Sequence, residues 1–451
     1  MAITAPRVAS KAISQGWPEH LDVEGLFIDG GHRKIDLKIS ERVTILTGPN
    51  GSGKTRVLAI LRSALALDLA SLAAEPFTGL TLRFTNGRRF QVSRREATDD
   101  IELTVAVLGQ RRKLFSSQVK LTIDPVAHLI LPEWIVRVGE DIWEDSRDGE
   151  LLDLDDLNAR FHRRPRPTSD PVNWRISSGQ PDLVAGLRNA LGRAPVPTFI
   201  ETKRLDVTSR KKRRSRFPQP VPRHERIHDY VDQIQSQVQQ ARAEYSRISQ
   251  LTDSQFASRA LQRTDDDPPS SPELRTRFSQ LAVLHNELLT TGVVAESPSV
   301  DMRGGSLSIP ERRMFAVFLE DWGNKLQPLL PVHEKLQMLQ QIVGQKLTNK
   351  RLRLDDHGRL RIETAAGAQI PVNQLSSGEQ HLLALFAMLL FDANRSSVVI
   401  IDEPEISLHA EWKHAFLDDI RRVAENADLQ FVLATHSTGI INGQWDLVEK
   451  L

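Results

Sequence analysis

The sequence predicts an α/β fold: a mixed β-sheet with an antiparallel β subdomain, interrupted by an inserted helical or coiled-coil lid. Three observations predict it. A β-branched run leads into a glycine-rich loop and then into helical spacing over residues 43–61. Segments of alternating apolar and polar residues flank this loop. Farther along, apolar residues repeat in steps of four and three over residues 227–251, as in a long packed helix.

The segments on either side of the glycine-rich loop are predicted to form short antiparallel strands. An Asp-Gly-Gly turn separates the two segments that precede the loop, and Thr85-Asn86-Gly87 is a strong hairpin signal between two that follow it. The predicted strands are residues 25–28, 33–39, 80–84, 88–94 and 101–107. Together they would form the antiparallel β subdomain.

A long amphipathic helix is predicted in the middle of the chain. Its apolar stripe consists of Ile227, Val231, Ile234, Val238, Ala241, Tyr245, Ile248 and Leu251. After a polar break that contains two prolines, a weaker stripe follows at Leu274, Phe278, Leu281 and Leu288. Two arrangements fit this pattern: an antiparallel helical hairpin, or separate helices of a compact bundle.

The pattern divides the chain into three parts. Residues 1–205 are predicted to form an N-terminal part, residues 206–349 a helical insertion, and residues 350–451 a C-terminal part, where strand character returns. At 451 residues the chain is too long for one simple core, which agrees with this division.

Composition excludes several classes of protein. There is no cysteine, which excludes disulfides and thiolate metal sites, and the amino terminus has no hydrophobic signal core. The longest apolar stretch, residues 382–391, is about half of what a membrane-spanning helix needs. With 59 basic against 58 acidic residues, a globally basic nucleic-acid-coating protein is disfavoured, although the basic run at 203–216 leaves local nucleic-acid binding open. We therefore expect a cytoplasmic protein with no membrane partner.

The glycine-rich loop matches the phosphate-binding pattern G-x-x-x-x-G-K-[ST] from Gly48 to Thr55. Its glycines allow backbone N–H groups to point at a phosphate at the N-terminus of the following helix. Lys54 would reach the β and γ phosphates of ATP, and the Thr55 hydroxyl would be a ligand of Mg²⁺. The residues expected to contact the nucleotide in this loop are Asn50, Gly51, Ser52, Gly53, Lys54 and Thr55.

Polar residues follow two buried-strand runs in the C-terminal part of the chain. Residues 398–401 lead into Asp402 and Glu403, and residues 429–434 lead into a Thr-His pair that ends at His436. The carboxyl ends of parallel strands lie beside the ligand crevice in open α/β sheets. Asp402 is therefore expected to hold Mg²⁺, and Glu403 is expected to polarise the attacking water.

A Ser-Ser-Gly-Glu turn opens the most apolar helix of the chain. Ser376, Ser377 and Gly378 would place backbone N–H groups and a hydroxyl at a helix N-terminus, which favours an anion. In the functional interpretation, this turn contacts a nucleotide held by another copy of the chain. The plain alternative is an ordinary helix N-cap with an acidic first turn.

In this order the four elements resemble those of the ABC-type ATPase superfamily. They are Walker A (Gly48–Thr55), the signature (Leu375–Gln380), Walker B (Val398–Glu403) and the histidine switch (His436). The L-S-S-G-E signature and the D-E-P-E-x-x-L-H run are similar to those of OLD, RecF and SMC-type heads. In the same resemblance, Lys203 stands where these heads have the glutamine of the Q-loop.

The resemblance implies a homodimer in which two copies close over ATP and Mg²⁺, and it leaves assembly into a higher oligomer open. Ser376, with the backbone of Ser377 and Gly378, would contact the γ-phosphate held by the opposite protomer. Glu403 would act as the catalytic base, and His436 would sense or stabilise that phosphate. The site would thus be composite.

Within the superfamily, the resemblance is strongest for the PtuA-type ATPase subunit of Septu anti-phage systems, which is also found with retrons. It implies a bacterial defence ATPase that scaffolds or restrains a partner nuclease of the HNH type. His436 is followed by fifteen residues, 437–451, so there is no room for the Toprim domain of OLD nucleases, and we expect no nuclease site in this chain. The alternative is a RecF/SMC-like DNA-repair ATPase that binds duplex DNA directly, as the heptads and the basic run at 210–216 would suggest. A transporter cassette fits poorly, because the motifs are too far apart.

Overall fold

The structure is a computed structural model of the chain. It describes residues 16–26, 31–96, 100–123, 132, 134–139, 142–153, 156–157, 160, 174–176, 181–192, 194–195, 197–201, 225–263, 268–294, 307–393, 396–406 and 408–451. The Q-loop position Lys203 and the basic run at 203–216 lie outside the described residues.

The strands follow the chain from Pro18 to Lys450. They are β1 (Pro18–Glu24), β2 (Arg33–Asp36), β3 (Val43–Thr47), β4 (Gly79–Phe84), β5 (Arg89–Glu96), β6 (Asp100–Leu108), β7 (Lys113–Ile123), β8 (Ile135–Arg137), β9 (Trp143–Asp145), β10 (Glu150–Leu152), β11 (Trp174–Ile176), β12 (Pro197–Glu201), β13 (Lys350–Leu354), β14 (Leu360–Thr364), β15 (Gln369–Ile370), β16 (Val398–Asp402), β17 (Gln430–Ala434) and β18 (Val448–Lys450).

The helices differ widely in length, from one turn to more than ten. They are α1 (Lys54–Ala66), α2 (Leu69–Ala73), α3 (Pro181–Leu191), α4 (Glu225–Gln262), α5 (Ser271–Thr290), α6 (Ile309–Leu326), α7 (Leu330–Gly344), α8 (Ser377–Ala387), α9 (Ala410–Ala427) and α10 (Thr438–Ile441). A π-helical segment, Met388–Asp392, continues α8. In the described part of the chain, no helix combines the length and the apolarity needed to cross a membrane.

The chain forms two compact units, and the first contains two of the larger sheets. This unit consists of the described parts of Met1–Phe199, Arg395–Glu403 and Asp428–Leu451. One sheet has the order β12-β16-β17-β3-β18, and the pairs β16–β17, β17–β3 and β3–β18 are parallel. The other is an antiparallel sheet in the order β11-β7-β6-β5-β4-β1-β2. The predicted α/β fold with an antiparallel subdomain is therefore confirmed.

Local turn chemistry sets the strand limits in the antiparallel sheet. The hairpin predicted at Thr85-Asn86-Gly87 joins β4 to β5, and Gly87 has a φ of 75°, which glycine adopts without strain. The strand predicted at residues 25–28 is wrong at residues 25 and 26, because the pairing strand is β1 and it ends before Gly25, whose φ is 68°. Residues 27 and 28 lie outside the described residues. A positive φ at this glycine breaks the extended backbone one residue after the strand.

The second unit is mainly helical and consists of the described parts of Ile200–Asn394 and Pro404–Ala427. Helices α4 and α5 both pack along α6, so the structure agrees with separate helices of a compact bundle better than with an isolated hairpin. The heptad stripe of α4 is buried at Ile227, Ile234 and Val238, but Leu251 is 48% exposed. The fully buried positions of the α4 stripe therefore all lie in its first half, while Ala241, Tyr245 and Ile248 are half-buried.

Candidate functional site

The glycine-rich loop lies in the first unit between β3 and α1, as the sequence predicts. Strand β3 ends at Thr47, and helix α1 begins at Lys54. Gly51 and Gly53 have φ angles of 83° and 92°, a left-handed conformation that a residue with a side chain adopts only with strain. These two glycines allow the chain to turn from the strand into the N-terminus of the helix.

Two side chains of the loop have the character of an anion-binding site. Lys54 is 6% exposed, and its Nζ donates to the carbonyl oxygens of Gly48 at 2.9 Å and Pro49 at 3.1 Å. The Ser52 hydroxyl oxygen is buried and has no hydrogen-bond partner among the described residues. A buried hydroxyl without a hydrogen-bond partner costs free energy. A ligand rich in oxygen atoms would accept a hydrogen bond from this hydroxyl and so stabilise the loop.

The acidic pair lies at the end of β16. In the parallel sheet, β17 lies between β16 and β3, the strand that leads into the glycine-rich loop. Asp402 is in register with Ala434 of β17, and Ala434 is in register with Leu46 of β3. The backbone N–H of Glu403 donates to the Ala434 carbonyl oxygen across 2.8 Å. Glu403 has a φ of 50°, which is strained for a residue other than glycine and is common at functional sites.

The histidine follows the end of β17 at the same edge of the sheet. The backbone N–H of Thr435 donates to the Leu46 carbonyl oxygen across 3.1 Å, and the Thr435 hydroxyl accepts the N–H of Ser437 across 2.9 Å. His436, between them, is exposed. The sheet therefore places the histidine at the same edge as the glycine-rich loop, which follows β3, and the acidic pair, which ends β16.

The loop and the acidic pair are in direct contact through Thr55. Its hydroxyl donates to Asp402 Oδ2 across 2.9 Å. Two neighbouring ligands of an octahedral Mg²⁺, each at 2.0–2.1 Å, are about 2.9 Å apart. The hydroxyl and the carboxylate thus lie close together and offer oxygen atoms, the ligand type that Mg²⁺ prefers, although their spacing is also that of an ordinary hydrogen bond.

The Ser-Ser-Gly-Glu turn lies in the second unit, where it caps α8. The Ser376 hydroxyl oxygen accepts the N–H of Glu379, and Glu379 Oε2 accepts the Ser376 N–H at 2.8 Å and the Ser376 hydroxyl at 3.0 Å. This is a capping box, so the plain interpretation of the turn as an N-cap is correct as local structure. Ser376 and Ser377 are exposed, which leaves the start of the helix accessible.

A cavity of about 750 Å³ lies at this turn, within the second unit. Its lining includes Lys346, Lys350, Ser376, Ser377, Gly378, Glu379, His409 and Trp412. A methyl group on Gly378 would be 3.5 Å from the Trp412 ring, and the rings of Trp412 and His409 are 5.6 Å apart. The cavity therefore combines a helix N-terminus, two lysines and an aromatic wall.

The order of these motifs and the strand-end geometry agree with a comparison of the whole sequence with protein families. The family model described as "AAA domain, putative AbiEii toxin, Type IV TA system" matches residues 43–442. The chain belongs to this AAA family. The matched residues include the phosphate loop, the signature turn, the acidic pair and the histidine, and the chain is a P-loop ATPase of AAA/ABC type.

Relatives of this AAA protein are distant. The ABC transporter ATP-binding protein YtrE of Bacillus subtilis (strain 168) is 29% identical over 113 residues, which are 25% of this chain and span about half, 47%, of that protein. Among solved structures, the SMC head domain from Thermotoga maritima is 11% identical with a TM-score of 0.34, covering 96% of this chain and 94% of that chain. The Smc head with an extended coiled coil from Pyrococcus furiosus, bound to the C-terminal domain of ScpA, is 13% identical with a TM-score of 0.35, covering 95% and 91%.

Two features of the AAA protein have no counterpart in the sequence-based predictions. Lys350 Nζ donates to both carboxylate oxygens of Glu379, at 2.7 and 2.9 Å. In the antiparallel sheet, ligand atoms of Asp22, Glu24 and His32 lie within 4.8 Å of one another, with an ion pair between His32 and Asp22. Neither group follows a recognisable spacing, since both depend on which strands and helices meet.

Proposed function

We propose that this AAA protein binds ATP and Mg²⁺ at residues 48–55 and that two copies dimerise over the nucleotide and hydrolyse it. The observation that carries the proposal is the meeting of the phosphate loop, the acidic pair and the histidine at one edge of one parallel sheet. The family match supports ATP hydrolysis as the reaction class.

The residues of the chain have distinct roles in this proposal. Asn50, Gly51, Ser52 and Gly53 present backbone N–H groups and a hydroxyl to the phosphates, because the glycines turn the loop inward. Lys54 exchanges its two carbonyl partners for β- and γ-phosphate oxygens, which are stronger acceptors. Thr55 and Asp402 would hold Mg²⁺, which supplies charge neutralisation of the phosphates when it is bound.

The chemical step is assigned to the strand ends. Glu403 accepts a proton from the attacking water. The hydrogen bond from its backbone N–H to the Ala434 carbonyl oxygen fixes the position of the backbone from which the carboxylate extends. His436 donates a hydrogen bond to the γ-phosphate as charge develops there. Ser376, with the N–H groups of Ser377 and Gly378, binds the γ-phosphate held by the second copy, which makes each site composite.

The variant Glu403→Gln tests the proposal because it removes the proton acceptor and preserves the shape of the side chain. With ATP and Mg²⁺ it should stop turnover and accumulate as an ATP-bound dimer, measured by light scattering during size-exclusion chromatography. Lys54→Ala should abolish ATP binding. The control Glu96→Gln, at an exposed carboxylate of the same unit, should behave as the parent. Unchanged hydrolysis in Glu403→Gln would contradict the assigned base, and a monomer under all conditions would contradict the composite site.

For the biological role, we propose a cytoplasmic component of a bacterial anti-phage defence system of the Septu or retron-associated kind, in which the ATP-bound assembly scaffolds or restrains an HNH-type nuclease. The resemblance in the sequence motifs supports this role, and the family description, which names a toxin of a type IV toxin–antitoxin system, is compatible with a chain that works with other components. Purification from native cells should recover a small HNH-type protein together with this chain.

The alternative role, a RecF/SMC-like ATPase that binds duplex DNA directly, predicts a different result. The isolated protein would bind plain duplex DNA with an affinity that falls steeply with salt, and replacing the basic residues of the run 210–216 by glutamine would abolish this binding. Salt-insensitive or absent DNA binding, with a nuclease partner recovered, would favour the defence role.

A further inference from the structure

Three helices of the second unit begin with the same Ser-x-x-Glu capping box. The cap pairs are Ser270 with Glu273 on α5, Ser308 with Glu311 on α6, and Ser376 with Glu379 on α8. The first two glutamates are exposed, as expected for a cap that serves only the helix end, whereas Glu379 is 7% exposed. The cap itself does not require this burial, so the third carboxylate calls for another explanation.

The buried carboxylate is held by a lysine from another element. Lys350, the first residue of β13, donates to Glu379 Oε1 at 2.7 Å and to Oε2 at 2.9 Å. Burial by itself would raise the pKa of Glu379, but the hydrogen bonds from Lys350 and from Ser376 hold this pKa below its usual range. At neutral pH Glu379 is therefore a carboxylate.

A second lysine of the cavity is also paired with a buried acid. Lys346, which also lines it, forms a buried ion pair with Asp419. Each of the two lysines is thus matched by one buried acid. The lining also includes Glu411, an exposed acid, and the positive end of the α8 dipole. Without Lys350, the cavity would contain an unmatched carboxylate within hydrogen-bond distance of Ser376, the residue that would meet a phosphate. Like charges in a partly buried site repel strongly.

We propose that Lys350 is a positioning residue of the signature turn: it neutralises Glu379, so that the turn at residues 376–378 accepts the γ-phosphate of ATP held by a second copy of the chain. The inference rests on the proposed function, because it assumes that ATP joins two copies. The proposed role adds Lys350, which lies outside the sequence motifs, to the residues on which ATP-driven dimerisation depends. The net charge at the turn then depends on the position of β13.

The test measures ATP-driven dimerisation of the full chain in the Glu403→Gln background. Dimerisation is measured by analytical ultracentrifugation with Mg²⁺ and ATP. Lys350→Met should weaken dimerisation by about tenfold or more, since the unneutralised carboxylate and the phosphate repel each other. Adding Glu379→Gln to Lys350→Met should restore dimerisation to within about threefold, because glutamine keeps the capping box and removes the charge. Arg353→Met removes a positive charge from an exposed ion pair on the same strand and should have no effect.

The result that would overturn the inference is a double variant as weak as Lys350→Met, which would mean that the lysine itself binds phosphate or only supports the fold. Dimerisation unchanged by Lys350→Met would also overturn it. If the Glu403→Gln parent does not dimerise with ATP, the proposed function and the inference fail together. If Lys350→Met does not fold, Lys350→Gln, which keeps a hydrogen bond without the charge, has the same expected result, and thermal unfolding and ATP affinity of each variant separate folding from dimerisation.

Discussion

Replacing Asp402 by asparagine removes one negative charge at the end of β16 and keeps the shape of the side chain. Asp402 Oδ2 accepts the Thr55 hydroxyl across 2.9 Å, which is also the spacing of two neighbouring Mg²⁺ ligands. If both oxygens face the cation, the variant should weaken ATP binding when Mg²⁺ is present. In EDTA it should bind ATP as well as the parent does.

The size of this effect follows from the chemistry of the contact. An interaction with a charged group contributes about 1.5–3 kcal/mol, whereas its neutral counterpart contributes about 0.5–1.5 kcal/mol. The difference of about 1–1.5 kcal/mol corresponds to a roughly five- to tenfold weaker affinity for Mg²⁺-ATP. Asp402 is half-buried, so bulk water does not fully screen the lost charge.

The assay is a titration with a fluorescent ATP analogue, with and without Mg²⁺, on the parent, on Asp402→Asn and on the control Asp428→Asn. Asp428 lies in the same unit and pairs with Arg42, so the control loses one carboxylate away from the proposed cation. If Mg²⁺ strengthens ATP binding by Asp402→Asn as much as it does for the parent, Asp402 is not a ligand of Mg²⁺. An equal loss of affinity in EDTA would show a distorted loop instead of a lost ligand.

Three further changes have expected results of known direction. Asp419→Asn should lower the free energy of unfolding by about 3–5 kcal/mol in a denaturant titration, because the ammonium of Lys346 stays buried without its charged partner. Glu363→Gln, which removes the half-buried partner of the exposed Arg353, should lower this free energy by less than about 1 kcal/mol. Gly53→Ala should cost about 1–2 kcal/mol at a φ of 92° and weaken ATP binding about tenfold, so an unchanged affinity would argue against the observed loop conformation. His436→Ala should slow hydrolysis by about a hundredfold in a steady-state phosphate-release assay while ATP affinity stays nearly constant, and a parallel loss of affinity would indicate a binding role instead.

Local chemistry made several features of the protein predictable from the sequence. Strand β3, the glycine-rich loop and α1 follow from adjacent residues, since Gly51 and Gly53 supply the positive φ angles that the loop needs. The same is true of the Asn-Gly hairpin between β4 and β5 and of the cap at Ser376. The strand prediction was wrong at residues 25 and 26 because Gly25, read as part of a strand, has a positive φ and directly follows the last residue of β1.

The amino-acid sequence by itself thus determined where the glycine-rich loop and the helix cap lie and which strands end in acids, because turns, caps and hydrophobic periods depend on residues a few positions apart. The tertiary structure alone decided that Thr55 touches Asp402, 347 positions away, and that Lys350 holds Glu379. It also decided that α4 and α5 share α6 as their partner. Such pairings depend on which elements pack together, and a periodic pattern specifies the face that a helix buries without specifying the surface against which it is buried.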